Sequence, residues 1–185
     1  MNPRLPVIPP QPQGQFDDPR LALQSLPPLA QWRRVGDDTP LAIAATSFPI
    51  VDVRAAKSII IIGRIQGAAG TVNFGPRLNR DANNNYGFFN LFSTGAGAQD
   101  GAAAVSSFIQ AGQATNATSA AWGCFIPGSR TSGLTNVPAI CWCGSSLIVL
   151  VRGSWWNQSG PVDTVQVVAD ASMAVGSYAA IYLVL

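Results

Sequence analysis

The chain has no histidine and no glutamate, a single lysine at position 57, and few charges of any kind. Asp, Glu, Lys and Arg make up 11% of its 185 residues, against about 25% in ordinary soluble domains. Each shortage excludes something. Without imidazole there is no Ser-His-Asp relay, no His-bearing metal site, and the commonest general base is missing. A Ser-Lys pair is offered only by Lys57 and Ser58, which as strand neighbours point to opposite faces. Without Glu, and with one Lys, exposed helices lose their best polar formers. The 18 glycines and 14 prolines push the same way, toward strands and turns.

Net charge is +2, too small to call for a polyanionic partner. Over residues 1–40, Arg4, Arg20, Arg33 and Arg34 balance Asp17, Asp18, Asp37 and Asp38. A phosphate-binding tail needs an excess of Lys and Arg, so nucleic acid is not an expected partner. Membrane insertion is not expected either. The most apolar runs, SIIIIGRI and SSLIVLVRG, fall far short of the roughly 20 residues a spanning helix needs. Both are short and β-branched and read as buried strands. Proline stands where a secretory signal has its apolar core, so no signal is expected.

Proline is concentrated at the front. Eight of the fourteen lie in residues 1–36, and a run such as MNPRLPVIPPQPQGQ forms neither helix nor central strand by itself. This segment reads as an extended arm that binds a partner. Pro6, Pro9, Pro10, Phe16 and Leu21 are its candidate contacts, with Trp32, Arg33 and Arg34 at its foot, where planar guanidinium groups suit carboxylates of a neighbour. A turn or two of helix is expected after Asp18 and Pro19, in DPRLALQSL.

From about residue 40, short apolar runs alternate with Gly, Asn, Ser and Pro clusters. Eleven strands are expected, near 41–46, 50–54, 57–65, 70–75, 86–92, 104–109, 120–126, 138–143, 146–152, 163–169 and 176–184, with a competing helical signal over 99–110. The fold class is all-β, an antiparallel sandwich or jelly roll over 37–185 carrying the proline-rich arm of 1–36. The terminal strand GSYAAIYLVL needs pairing on its edges to escape being sticky.

Cys124, Cys141 and Cys143 make an odd count. The last two share one face of a strand about 6.6 Å apart, too awkward for a mutual disulfide, and three thiols without histidine leave a zinc site short. Three buried free thiols are the reading, with no metal and no cofactor. The Asp17-Asp18 and Asp37-Asp38 doublets read as turn and cap residues, ahead of a carboxylate pair for glycoside hydrolysis. DANNNYG (81–87) has its glycine one place late for a calcium loop and no closing acid. It reads as a polar hairpin loop in which Asn takes left-handed conformations. In GSWWNQSGP, Trp155 and Trp156 face opposite ways on a strand. An exposed ring there serves as an interface or glycan contact, and a buried one as core. The triplets at Asn116 and Asn157 match glycosylation acceptors by chance.

An extended proline-rich arm before a Gly/Asn/Ala-rich sandwich without catalytic residues resembles small structural proteins of tailed-phage virions. FPIVDVRAAKSIIIIGRIQGAAGTVNF and VDTVQVVADASMAVGSYAAIYLVL are similar in texture to strands of capsid-decoration and tail-associated sandwiches, and the likeness covers most of 40–185. It implies a non-enzymatic decoration or cement subunit with no catalytic residues, assembled in the host cytoplasm into a virion. The partners it implies are a homo-oligomer such as a trimer and a major capsid or other virion protein. An accessory tail or head-tail connector component is the near alternative. A carbohydrate-binding module using Trp155 and Trp156 is the alternative from another class, and a hydrolase working with Asp alone is a third.

Overall fold

A computed structural model of the chain describes residues 32–36, 39–93, 99–127, 136–144, 148–156 and 161–185. The chain divides into two compact units, Met1–Gln31 and Trp32–Leu185. The first lies outside the described residues, and with it the arm contacts Pro6, Pro9, Pro10, Phe16 and Leu21 and the expected helical turn.

The described residues of the second unit are all-β, without a helix. In chain order the strands are β1 (Trp32–Val35), β2 (Ala45–Ser47), β3 (Val51–Asp52), β4 (Ser58–Ile65), β5 (Val72–Leu78), β6 (Tyr86–Ser93), β7 (Gln99–Ser106), β8 (Gly112–Ala114), β9 (Ala120–Ile126), β10 (Asn136–Gly144), β11 (Ile148–Trp156), β12 (Thr164–Met173) and β13 (Tyr178–Val184). They form two antiparallel sheets. The larger has eight strands in the order β1-β13-β4-β9-β10-β11-β6-β7, and the smaller runs β2-β12-β5-β8 with β3 also on β12.

One core lies between them, which makes the fold β-sandwich-like. The larger sheet contributes Ile59, Ile61, Ile65, Trp122, Cys124, Ile126, Cys141 and Ile181, and the smaller contributes Val72, Phe74, Leu78, Val165 and Val167. Phe74 and Trp122 meet across the layers with ring centroids 5.3 Å apart and planes tilted by 59°, a favoured aromatic geometry. Period-two patterning sets this up. In β4, Ile59, Ile61 and Ile65 are wholly buried, while Ile60, Ile62 and Arg64 alternate with them on the other face.

Four findings differ from the sequence reading. Residues 99–106, where helix competes, are strand β7, paired along its whole length with β6. Pairing partners outrank the modest helical propensity of an alanine-rich segment. Trp32–Val35, expected as the foot of the arm, is a sheet strand on β13. It covers the edge that β13 would otherwise expose, and β4 covers the other. The SIIIIGRI run is buried on one face only, because an antiparallel strand with the core on one side turns its alternate residues outward. Finally, the left-handed non-glycine residues among those described are Asn79 (φ 49°) and Arg80 (φ 58°), ahead of DANNNYG and not within it. Asn79 is fixed there by its side chain, whose Oδ1 accepts from the backbone NH groups of Asp163 (2.7 Å) and Thr164 (3.0 Å) at the start of β12.

Candidate functional site

The outward face of the larger sheet is the most distinctive surface of the described residues. Strand β10 reads NVPAICWCG. Its alternation sends Val137, Ala139, Cys141 and Cys143 into the core and Ile140 and Trp142 outward. Register then assembles rows across the sheet. Ile140 stands opposite Phe125, Phe125 opposite Ile60, Ile60 opposite Tyr182 and Tyr182 opposite Arg34. In the next row Trp142 stands opposite Gly123, and Gly123 opposite Ile62.

Gly123 has a specific reason to be glycine. A Cβ there would overlap the six-membered ring of Trp142, so the indole lies across the sheet over position 123. Trp142 remains 44% exposed, with Ile140 at 45% and Ile62 at 39%. An antiparallel sheet facing water normally carries polar residues at such positions. Here the described members of the two rows include no carboxylate, and their cations are Arg34 at the edge and Arg152, which stands opposite Ile140 on β11. Arg64, one step beyond Ile62 on β4, has its Nε donating to Ser119 Oγ at 2.9 Å. What this arrangement can do chemically is associate. Covering the exposed part of Trp142 alone removes on the order of 100 Å² of apolar surface from water, about 2.5 kcal/mol before association costs.

The foot of the expected arm sits at the edge of the same sheet. Trp32, Arg33 and Arg34 are all exposed. Trp32 and Arg34 pair with Val184 and Tyr182 in register, so they share the outward side with Ile60 and Phe125.

Of the two tryptophans of GSWWNQSGP, the side chain of Trp155 is described. Trp155 is fully buried and takes the core reading, so it offers no ring to a glycan. Its Nε1 donates to Asp81 Oδ2 at 2.8 Å, and its ring stacks on Tyr86 with centroids 6.2 Å apart. Asp81 also accepts from the Asn83 backbone NH (3.0 Å) and from Asn85 Nδ2 (2.9 Å). Burial pushes the Asp81 carboxyl upward, but these hydrogen bonds, led by Trp155, outweigh it and hold the group below its usual range. The Tyr86 hydroxyl completes the corner, accepting from Leu78 N and donating to Leu78 O, each at 2.9 Å. DANNNYG is thereby a structural loop built around a tryptophan. The side chain of Trp156 lies outside the described residues.

A cleft of about 350 Å³ is lined by Ile50, Asp52, Arg54, Arg80, Asp163 and Thr164. Asp52 is ion-paired with Arg54, whose hydrogen bonds lower its pKa to about 2. A carboxylate held that low stays ionised and offers no proton to a leaving group. Among the described residues no three His, Cys, Asp or Glu side chains gather as a metal site, and no helix is long and apolar enough to cross a membrane.

The sequence reading placed its candidate contacts on the arm and on the tryptophan pair, and missed Ile62, Ile140 and Trp142. A signal was present: SIIIIGRI and AICWC carry apolar residues at the alternate positions where a strand with one wet face carries polar ones. Compared with protein-family models, with curated proteins and with solved structures, the chain gives no match.

Proposed function

We propose that this chain is a noncatalytic structural subunit of a virion, a capsid decoration or cement protein of a tailed bacteriophage. It is a β-sandwich that joins neighbouring subunits through the outward face of its larger sheet and through its proline-rich N-terminal arm. The observation that carries the reading is the apolar face around Trp142. A chain with so little charge keeps such a face from water by covering it with another subunit. The arm suits the same role, since proline has already restricted the unbound chain and lowers the entropy lost on docking.

A glycan-binding reading moves from Trp155 to Trp142, whose ring lies flat on an open sheet. Its described neighbours, Ile62, Ile140 and Phe125, favour an apolar protein partner, because a sugar needs hydrogen-bonding groups around the ring it stacks on.

The test is cosedimentation with capsids assembled without this chain, comparing the full chain, a version beginning at Trp32, and the full chain carrying Ile62→Asp and Trp142→Asp. Beginning at Trp32 keeps β1 in the sheet. The full chain is expected to bind and both altered forms to lose at least tenfold in affinity. Equal binding by all three, or none by the full chain, contradicts the reading.

A further inference from the structure

We infer that Cys124 and Cys141 form a disulfide site, a covalent lock between β9 and β10 at the centre of the larger sheet. Cys141 and Cys124 are direct register partners on the two antiparallel strands. The Cys141 Sγ donates to the Cys124 Sγ at 2.9 Å. Directly opposed residues in an antiparallel pair have Cα atoms about 4.5 or 5.5 Å apart, and both spacings fall inside the range that a disulfide spans, roughly 4.4–6.8 Å. The bond therefore needs side-chain torsion and no movement of the strands. The third thiol is excluded by the same register. Cys143 stands opposite Trp122 on β9 and Val149 on β11, and its Sγ faces Gly112 of the other sheet.

The chemistry is thiol–disulfide exchange with a low-molecular-weight disulfide such as oxidised glutathione. One cysteine thiolate attacks the oxidant's S–S bond, forming a mixed disulfide and releasing one glutathione thiolate. The second cysteine sulfur attacks the mixed disulfide at the protein's sulfur and releases the other. Two electrons pass from the cysteine pair to the oxidant, and the two thiol protons go to the two released glutathione molecules.

All three thiols are buried and free in the reduced chain. Burial, reinforced by Cys124, pushes the Cys141 thiol well above its usual range, so thiolate is scarce in the folded state. Exchange runs during folding or through opening of β9 from β10. Once formed, the bond is shielded in the same way from external reductants. The lock is thus set when the chain meets oxidising surroundings before or during folding, and it closes the 17-residue separation between the two cysteines.

The experiment refolds the full chain from denaturant with oxidised glutathione, and in parallel refolds Cys143→Ser, Cys124→Ser and Cys141→Ser. Intact mass, alkylation under denaturing conditions and peptide mapping read the products. The expected wild-type product has lost two hydrogens, keeps one alkylatable thiol, and maps to a Cys124–Cys141 link within one chain. Cys143→Ser forms the same link, and the other two variants do not. The linked protein should show an unfolding equilibrium constant lowered roughly 100-fold relative to the reduced one. Links involving Cys143, links between chains, or three alkylatable thiols after refolding in oxidant would overturn the assignment.

Discussion

The two faces of the eight-stranded sheet are built from similar residues and treated differently. On β4, Ile61 is wholly buried and Ile62 is 39% exposed, although they are adjacent and chemically identical. On β10, Cys141 and Cys143 are buried while Trp142 between them lies open over Gly123. Hydrophobicity therefore does not mark the core in this chain. The inward face is closed by the smaller sheet, and the outward face presents Ile62, Ile140 and Trp142 with no described element over them.

Substitutions that act on one face should leave the other face's property alone. The largest effect belongs to the inward side: Ile61→Ala should cost about 2–5 kcal/mol in denaturant unfolding, since it removes a buried side chain and leaves a cavity. Ile62→Ala, one residue on, should stay within about 1 kcal/mol. Equal losses would mean that Ile62 is packed as Ile61 is.

The corner under β11 comes next. Asp81→Ala strands the buried Nε1 of Trp155 and should cost about 1–3 kcal/mol near neutral pH. The sign of the pH dependence follows from the lowered folded-state pKa of Asp81. Its stabilisation is fully present above the unfolded value of about 3.9 and is lost as pH falls through that value toward the folded one. Acid titration of unfolding stability should therefore show a loss setting in near pH 4 that is shallower in Asp81→Asn. An unchanged acid limb in that variant would remove Asp81 from the account.

Gly123→Ala probes the contact of the outward ring with its own sheet. The new Cβ overlaps Trp142, and the expected cost of about 1–3 kcal/mol should largely disappear in a Trp142→Ala background, a coupling that a double-mutant cycle reads directly. Smallest in stability is Trp142→Asp itself, expected within about 0.5 kcal/mol of the parent, because its ring lies outside the core.

Much of the fold is legible in the sequence, because period and punctuation are local signals. Strand β9 is expected at 120–126 and found at Ala120–Ile126, and the terminal run is strand β13. What is not legible depends on distant partners. Nothing local to residues 99–106 announces β6 as their neighbour, and nothing local to Trp32–Val35 says that β13 needs an edge cover. The alternation of Trp155 and Trp156 is readable, but that Trp155 turns inward rests on Asp81, 74 positions away. The pairing of Cys124 with Cys141 likewise rests on a register that no spacing rule supplies. For the site, the continuous isoleucines were legible as strand and misleading as to burial: a run without polar alternation reads as buried on both faces, and the structure leaves one of them open.

The most direct test of the central claim, that the outward face is an association surface, is sedimentation equilibrium of the full chain beside its Ile62→Asp, Trp142→Asp variant, with unfolding midpoints measured in parallel. The account predicts a concentration-dependent oligomer for the parent and a monomer for the variant at nearly unchanged midpoints. Parent and variant sedimenting alike would contradict it.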